Sequence, residues 1–426
     1  MKFEKTAEFA QQMDQKDPLA RFRNEFQFPV APNGSGKPGI YLCGNSLGLQ
    51  PKKARDYINQ ELDDWAKLGV EGHFHARHPW LPYHENLIAS TARLVGALPT
   101  EVVTMNSLTV NVHLLMVSFY RPTKTRFKIL TEAGAFPSDQ YAVASQARFH
   151  GFDPKDAIVE LKPRAGEWTL RTEDILATIE REGDQVALIW LGNVNYLTGQ
   201  CYDMQAITEA GHKKGCLVGF DLAHGVGNLL LKLHEWSVDC AAWCSYKYLN
   251  AGPGGIAGVY IHERWVKEKD LPRFSGWWGH NKDTRFKMGP DFDPIQTAEG
   301  WQLSNPPIFQ LAALRASMEL FDDATMPAIR QKGDLLTGYL EFLLSGMPNE
   351  MFEIITPRNP QERGCQLSLK VRSGGRELLK KLNDAGVIAD FREPDIIRVA
   401  PAPLYNSFMD VYQFGKIMEN HAASAK

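Results

Sequence analysis

From about Met105 the chain alternates between short, continuously apolar runs and amphipathic helical segments, and this alternation limits its fold more than any other feature. NSLTVNVHLLMVSFY (106–120) reads as a capped helix, RFKILTE (126–132) as a strand, SDQYAVASQARF (138–149) as a helix and QVALIWL (185–191) as a strand. DMQAITEAGHKKG (203–215) reads as a helix closed by Gly215, followed by the strands CLVGFD (216–221) and CAAWCSYKY (240–248). Strands rich in Val, Ile, Leu and aromatic residues without polar alternation are buried on both faces, which predicts an α/β fold with a mainly parallel sheet covered by helices. In such sheets ligands sit at the carboxyl ends of the strands.

The flanking segments are different. Beyond SNPP (Ser304 to Pro307) a long helical stretch leads into a strand (GCQLSLKVR), a helix (GRELLKKLNDAG) and a strand (IIRVAPAP), the pattern of a second, smaller α/β domain. Upstream, after a Gly/Pro loop and the short apolar piece IYLCGNSLGLQP, the segment ARDYINQELDDWAKLG carries Ala54, Ile58, Leu62, Trp65 and Leu68 at helical spacing. That face is expected to be buried. The expected organisation is an N-terminal arm (1–50), a large ligand-binding domain (51–305) and a small C-terminal domain (306–426).

Composition narrows the partner. A net charge of −3 and a pI near 6.5 leave no basic excess to neutralise a phosphate backbone, so a small molecule is expected rather than nucleic acid. No run approaches the roughly 20 apolar residues that span a bilayer, and MKFEKTAEFAQQMDQKDP is mixed in charge, so a cytoplasmic protein without membrane association is expected. The six cysteines lack zinc-site or disulfide-framework spacing and read as buried small hydrophobes. GSGKPG (34–39) has the glycine spacing of a dinucleotide loop, but no strand precedes it and no helix follows. His73, His75 and His78 crowd one segment without nearby carboxylate or thiolate partners, so no metal is expected.

Two chemically loaded residues fall at strand ends, Asp221 closing CLVGFD and Lys247 closing CAAWCSYKY. An amine in a partly dry site attacks an aldehyde as the free base, and a carboxylate suits a cationic ring nitrogen. Those are the two anchors of pyridoxal phosphate. Read singly, Lys247 fits equally a strand-end lysine with its head in water, and Asp221 a helix cap. The helix start at Asn106 to Thr109 offers the backbone N–H groups of Leu108 and Thr109, the Thr109 hydroxyl and the helix dipole to a phosphate dianion. It fits an ordinary N-cap too. After RFKILTE, Phe136 is placed to stack on a flat ring and Asp139 to accept a hydrogen bond from a ring substituent, with a core phenylalanine as the alternative.

Taken together, YLCGNSLGLQP, MNSLTVN, AFPSDQYA, VGFDLAHGVGN, WCSYKYLNAGPGG, GWWGH, SNPP and IRVAPAPLYNSF resemble kynureninase, a fold-type-I pyridoxal phosphate family, over nearly the whole chain. The resemblance implies a large domain with a seven-stranded-type sheet. It implies that Lys247 forms the Schiff base with the cofactor and later moves protons, that Asp221 pairs with the pyridine nitrogen with His224 close by, and that Leu108 and Thr109 bind phosphate. The turn Phe136-Pro137-Ser138-Asp139 would cover one ring face and hold its edge, and Tyr246 would contact phosphate and serve as an acid/base group. Trp277 and Asn305 would reach the cofactor from a neighbouring subunit, implying a homodimer. Arg398 would bind the substrate α-carboxylate, as its planar fork suits. Ser46 and His73, with Asn305, would lie near the aryl end.

The implied reaction is hydrolysis of a β-keto carbon–carbon bond, giving alanine and an anthranilate, with 3-hydroxykynurenine favoured over kynurenine by the polar aryl pocket. Where relatives often carry a hydroxyl residue, this chain has Gly192 in LGNVNYLTGQ. Two other classes are weighed. Other reactions of the same fold include aminotransfer and cysteine desulfuration, the latter needing a thiol on a mobile loop where Cys365 begins an apolar strand. A non-catalytic protein of this fold would have lost one of the two anchors, and both are here.

Overall fold

The apolar runs form a seven-stranded sheet in the computed structural model, which describes residues 2–348 and 350–424. Its strands are β1 (Val102–Thr104), β2 (Lys128–Glu132), β3 (Ile158–Leu161), β4 (Val186–Gly192), β5 (Leu217–Asp221), β6 (Cys240–Trp243) and β7 (Gly258–Ile261), in the spatial order β1-β7-β6-β5-β4-β2-β3. All neighbours pair in parallel except β7, which runs antiparallel to both β1 and β6. Burial on both faces is direct: along β4, Leu188 and Trp190 enter one hydrophobic core while Ile189 and Leu191 enter another. The α/β class and the mainly parallel sheet are as expected.

Three strands of this sheet escaped the sequence reading. Val102–Thr104 and Ile158–Leu161 are short, and Gly258–Ile261 follows the glycine-rich AGPGGIAG, which reads as loop. The expected strand CAAWCSYKY is also too long. It stops at Trp243, and Lys247 lies in the turn beyond, where the Asn250 N–H bonds the Lys247 carbonyl.

Helix α1 (Ala7–Lys16) precedes α2 (Lys52–Leu68), and α2 overturns one expectation. Its inward residues are Ala54, Glu61 and Asp64, while Leu62 (42% exposed) and Trp65 (58%) face outward. The reason is polar. Glu61 accepts from the Trp80 indole (3.0 Å) and the Tyr83 hydroxyl (3.0 Å), and Asp64 from the Arg77 backbone N–H (2.9 Å), so the carboxylates fasten the 77–83 segment. Ala54 and Ile58 still pack inward, but Leu62 and Trp65 are left uncovered, with Phe309 beside Trp65.

The sheet is flanked by α3 (Leu108–Phe119), α4 (Pro137–Phe149) and α5 (Met204–Lys213), the last ended by Gly215 in the left-handed region (φ 74°). Next come α6 (Ile308–Ala324), α7 (Met326–Leu344), α8 (Gly375–Asp384) and α9 (Phe408–Ser424). A second sheet, β8 (Phe352–Ile354), β9 (Leu367–Val371), β10 (Asp390–Arg392) and β11 (Ile396–Val399), is antiparallel in the order β8-β9-β11-β10. Its core takes Leu336 and Leu340 of α7, Val411 and Phe414 of α9, and also Ala10 and Met13 of α1. The Asp14 carboxylate caps α9 by accepting from Phe408 and Met409 N–H. Helix α6 packs instead in the large core, through Leu311, Leu314 and Phe321.

Candidate active site

Parallel strands deliver their last residues to one edge, and here Glu132, Gly192 and Asp221 end β2, β4 and β5. Together with the first turn of α3, the start of α4 and the turn after β6 they enclose a cavity of about 160 Å³. Its lining includes Leu108, Thr109, Phe136, Ser138, Asp139, His224, Tyr246 and Lys247.

At the acidic end, Asp221 accepts from the Ala223 N–H (2.7 Å) and Asp139 from the Trp190 indole (3.0 Å). The two carboxyls face each other. Burial, then the facing Asp139, holds the Asp221 carboxyl well above its ordinary range; burial likewise raises Asp139. At the other end Lys247 Nζ lies 2.9 Å from His224 Nε2 and 5.8 Å from the Phe136 ring centre. Burial and the Lys247 charge push the His224 imidazole well below its ordinary value, and its Nδ1 is buried without a partner. Tyr246 is raised, chiefly by burial, so its phenol keeps its proton at neutral pH.

The α3 end suits an anion. Asn106 takes a left-handed turn (φ 51°), fixed by Asn106 Nδ2 donating to Asn111 Oδ1 and Asn111 Nδ2 donating to the Met105 carbonyl. Ser107 occupies the cap without a side-chain bond to the first turn, which leaves those N–H groups facing the cavity. The expectation of a side-chain-capped helix is thereby corrected. Pro137 fills the first position of α4, and Phe136, 41% exposed, stands at the cavity mouth edge-on to Tyr196.

Other expected site residues lie outside the lining. Arg398 is buried on β11, donates to the Tyr196 carbonyl (2.7 Å) and pairs with Asp390, its Nε left unpartnered. Burial pushes the Arg398 guanidinium down to about 10. Ser46 sits in the turn before Gly48, whose N–H bonds the Tyr246 carbonyl (2.8 Å) and where a Cβ would strike the Lys247 carbonyl. His73 bonds the Val70 carbonyl (2.9 Å), Trp277 donates to the Arg285 carbonyl (3.1 Å), and Asn305 is exposed. His75 lies 3.7 Å from Glu71, which corrects the expectation that no carboxylate is near these histidines, and His78 turns to the Tyr83 ring, so the three do not converge.

Sequence reasoning missed Glu132, Tyr202 and Asn195. The Glu132 carboxylate accepts from the Tyr202 hydroxyl and from Asn195 Nδ2 (2.9 Å) beside Gly192. The available signal was a glutamate closing an apolar strand, the same signature as Asp221.

A kynureninase from Myxococcus xanthus is 66% identical over 420 residues, covering 99% of this chain and 98% of its own. The chain belongs to the kynureninase family. A kynureninase of Koribacter versatilis is 61% identical (97% of each chain), and one of Nematostella vectensis 50% (96% and 92%). Residues 329–418 match the kynureninase C-terminal domain. Among solved structures, the cysteine desulfurase of Thermococcus onnurineus superposes with a TM-score of 0.75 at 17% identity, over 91% of this chain and 95% of that one. The Escherichia coli desulfurase CsdA gives 0.76 at 17%, over 96% and 98%. These identities carry the fold-type-I architecture alone.

The cavity fits the pyridoxal phosphate of this family. An acidic pair in a dry corner suits a protonated ring nitrogen, an open helix N-terminus suits a dianion, and an amine lies between them.

Proposed function

We propose that the chain is a pyridoxal-phosphate-dependent hydrolase that converts kynurenine or 3-hydroxykynurenine, with one water, to alanine and the matching anthranilate. The observation that carries this reading is the lysine, acidic pair and open helix end gathered in one cavity, in a chain of this family.

When bound, the cofactor supplies an aldehyde for the substrate amine and a cationic ring that accepts electron density. Lys247 would hold the aldehyde and serve as the base that moves the proton at the substrate α-carbon. Asp221, backed by Asp139, would keep the ring nitrogen protonated. Leu108 and Thr109 N–H groups and Tyr246 would hold the phosphate; Phe136, Pro137 and Ser138 would cover the ring, and His224 would orient Lys247. Arg398 exchanges its Asp390 contact for the substrate carboxylate. Tyr246, with its proton retained, is the donor near the scissile carbon.

The reading includes a homodimer. Trp277 and Asn305 lie outside their own cavity and would reach the neighbour's, and the outward Leu62, Trp65 and Phe309 are the surface such a neighbour would cover. Ser46, His73 and Asn305 would bind the aryl end, favouring the 3-hydroxylated substrate. Because α6 packs in the large core, the two domains would meet beyond it rather than at residue 305, and the enzyme would be cytoplasmic; among the described residues no helix is long and apolar enough to cross a membrane.

The test is a product assay with each substrate. Stoichiometric alanine and anthranilate establish the hydrolase, and the kcat/KM ratio sets the preference. A coloured protein that releases neither sends the function to another lyase or an aminotransferase of this fold.

A further inference from the structure

Two of the three carboxyls around the cavity, Asp139 and Asp221, have work in the reading above, and the third has none. Glu132 is 4% exposed and divides its oxygens unequally. Oε2 takes both hydrogen bonds, from Tyr202 and Asn195. Oε1 is turned to Gly192, where a Cβ would come within 3.1 Å of it. Glu132 and Gly192 both line the cavity, and a side chain at Gly192 would crowd that oxygen.

Glu132 also lines a second pocket of about 120 Å³, with Gly134, Trp168, Asn195, Thr198 and Tyr202. That pocket reaches Trp168, which is 36% exposed. One carboxyl therefore lies on the wall of both the reaction cavity and a second space, part polar and part apolar and roomy enough for several waters, that leads toward solvent.

We propose that Glu132 is a further working residue of this site, a carboxyl that passes protons between the outer pocket and the cavity, with Gly192 keeping its cavity-side oxygen open. The inference rests on the hydrolase reading, whose net reaction consumes a water and relocates protons. Only O–H bonds form and break: a proton arrives on Oε1 or Oε2 from water in one space and leaves to the other. The groups facing Glu132 suit the task. Burial raises its carboxyl to about 7, the Tyr202 and Asn195 hydrogen bonds restrain the rise, and the Asp139 charge adds to it. Such a group loads and unloads near neutrality.

The experiment compares cofactor-loaded wild type, Glu132→Gln and Tyr202→Phe. Infrared difference spectra taken on either side of about pH 7, without substrate, are expected to show a protonated-carboxyl band that titrates in wild type and is missing in Glu132→Gln. Tyr202→Phe, which removes a bond to the charged form, is expected to move that midpoint up by about one pH unit, with a matching shift in the kcat/KM profile. Identical spectra and pH profiles in wild type and Glu132→Gln would overturn the proposal. If Glu132→Gln does not fold by circular dichroism, an unmoved midpoint in Tyr202→Phe overturns it instead. Absence of turnover in wild type defeats the hydrolase reading separately, because the infrared titration needs no substrate.

Discussion

Lys247 Nζ and His224 Nε2 are 2.9 Å apart in a buried corner of the cavity, a distance at which the amine donates and the imidazole accepts. His224 is held neutral by burial and by Lys247 itself, so it serves as a fixed acceptor that aims the lysine.

Replacing Lys247 by alanine should abolish covalent retention of the cofactor. Visible absorption after dialysis checks it: the wild type stays yellow, and the variant loses its chromophore unless an amine is supplied. A variant that kept the wild-type spectrum without added amine would exclude the attachment site.

Asp221→Asn is expected to remove turnover while leaving the fold intact, because an amide cannot hold a proton on the ring nitrogen. Equilibrium cofactor binding and product release, measured side by side, separate lost chemistry from lost binding.

Arg398→Lys should raise KM for the amino-acid substrate. A lysine cannot reproduce the bidentate fork, and a lost hydrogen bond to a charged group is worth about 1.5–3 kcal/mol, or roughly 10- to 150-fold in kcat/KM. Substrate analogues without the carboxylate should show no such penalty.

Glu299 predicts an acid-sensitive loop. Burial alone would raise its carboxyl, but His84 at 2.8 Å and Lys282 at 2.8 Å outweigh burial and hold it at about 2 against an ordinary 4.5. A depressed carboxyl stabilises the fold fully above its unfolded value, so stability should fall as pH drops from about 4.5 toward about 2. Thermal melts across that range should be steeper for wild type than for Glu299→Gln.

The proposed dimer is tested on its suggested surface: wild type should sediment as a dimer and Leu62→Asp with Trp65→Asp as a monomer by analytical ultracentrifugation, with unchanged far-ultraviolet circular dichroism, and a monomeric wild type would overturn it. Activity should fall with dimer content.

Four strands of the large sheet were legible because runs buried on both faces carry their signature in every residue, while the three missed are short or follow a glycine-rich loop; part of the cavity lining was legible because Asp221, Phe136 and Asp139 fall at the ends of such strands. What stayed hidden depends on partners distant in sequence. In α2 the expected face holds at Ala54 and Ile58 and fails at Leu62 and Trp65, since only the folded chain brings Trp80 and Tyr83 to Glu61. Lys247 was placed on a strand because tyrosines prolong an apolar run, while the turn that ends it is set by Asn250 and by Gly48, far upstream.

That contact of Gly48 has a mechanical side. The segment carrying it is stitched to the small domain: Ile40 and Tyr41 pair with Val387 and Ile388, Cys43 bridges Ala400, and α1 lies in the same core. Its far end rests on the backbone of the lysine turn. A swing of the small domain would be levered through the turn at Cys43–Gly48 onto Lys247, and a nick in the exposed loop at 33–37 would leave that lever anchored at both ends. A cut between Cys43 and Gly48 would free the turn while sparing both cores.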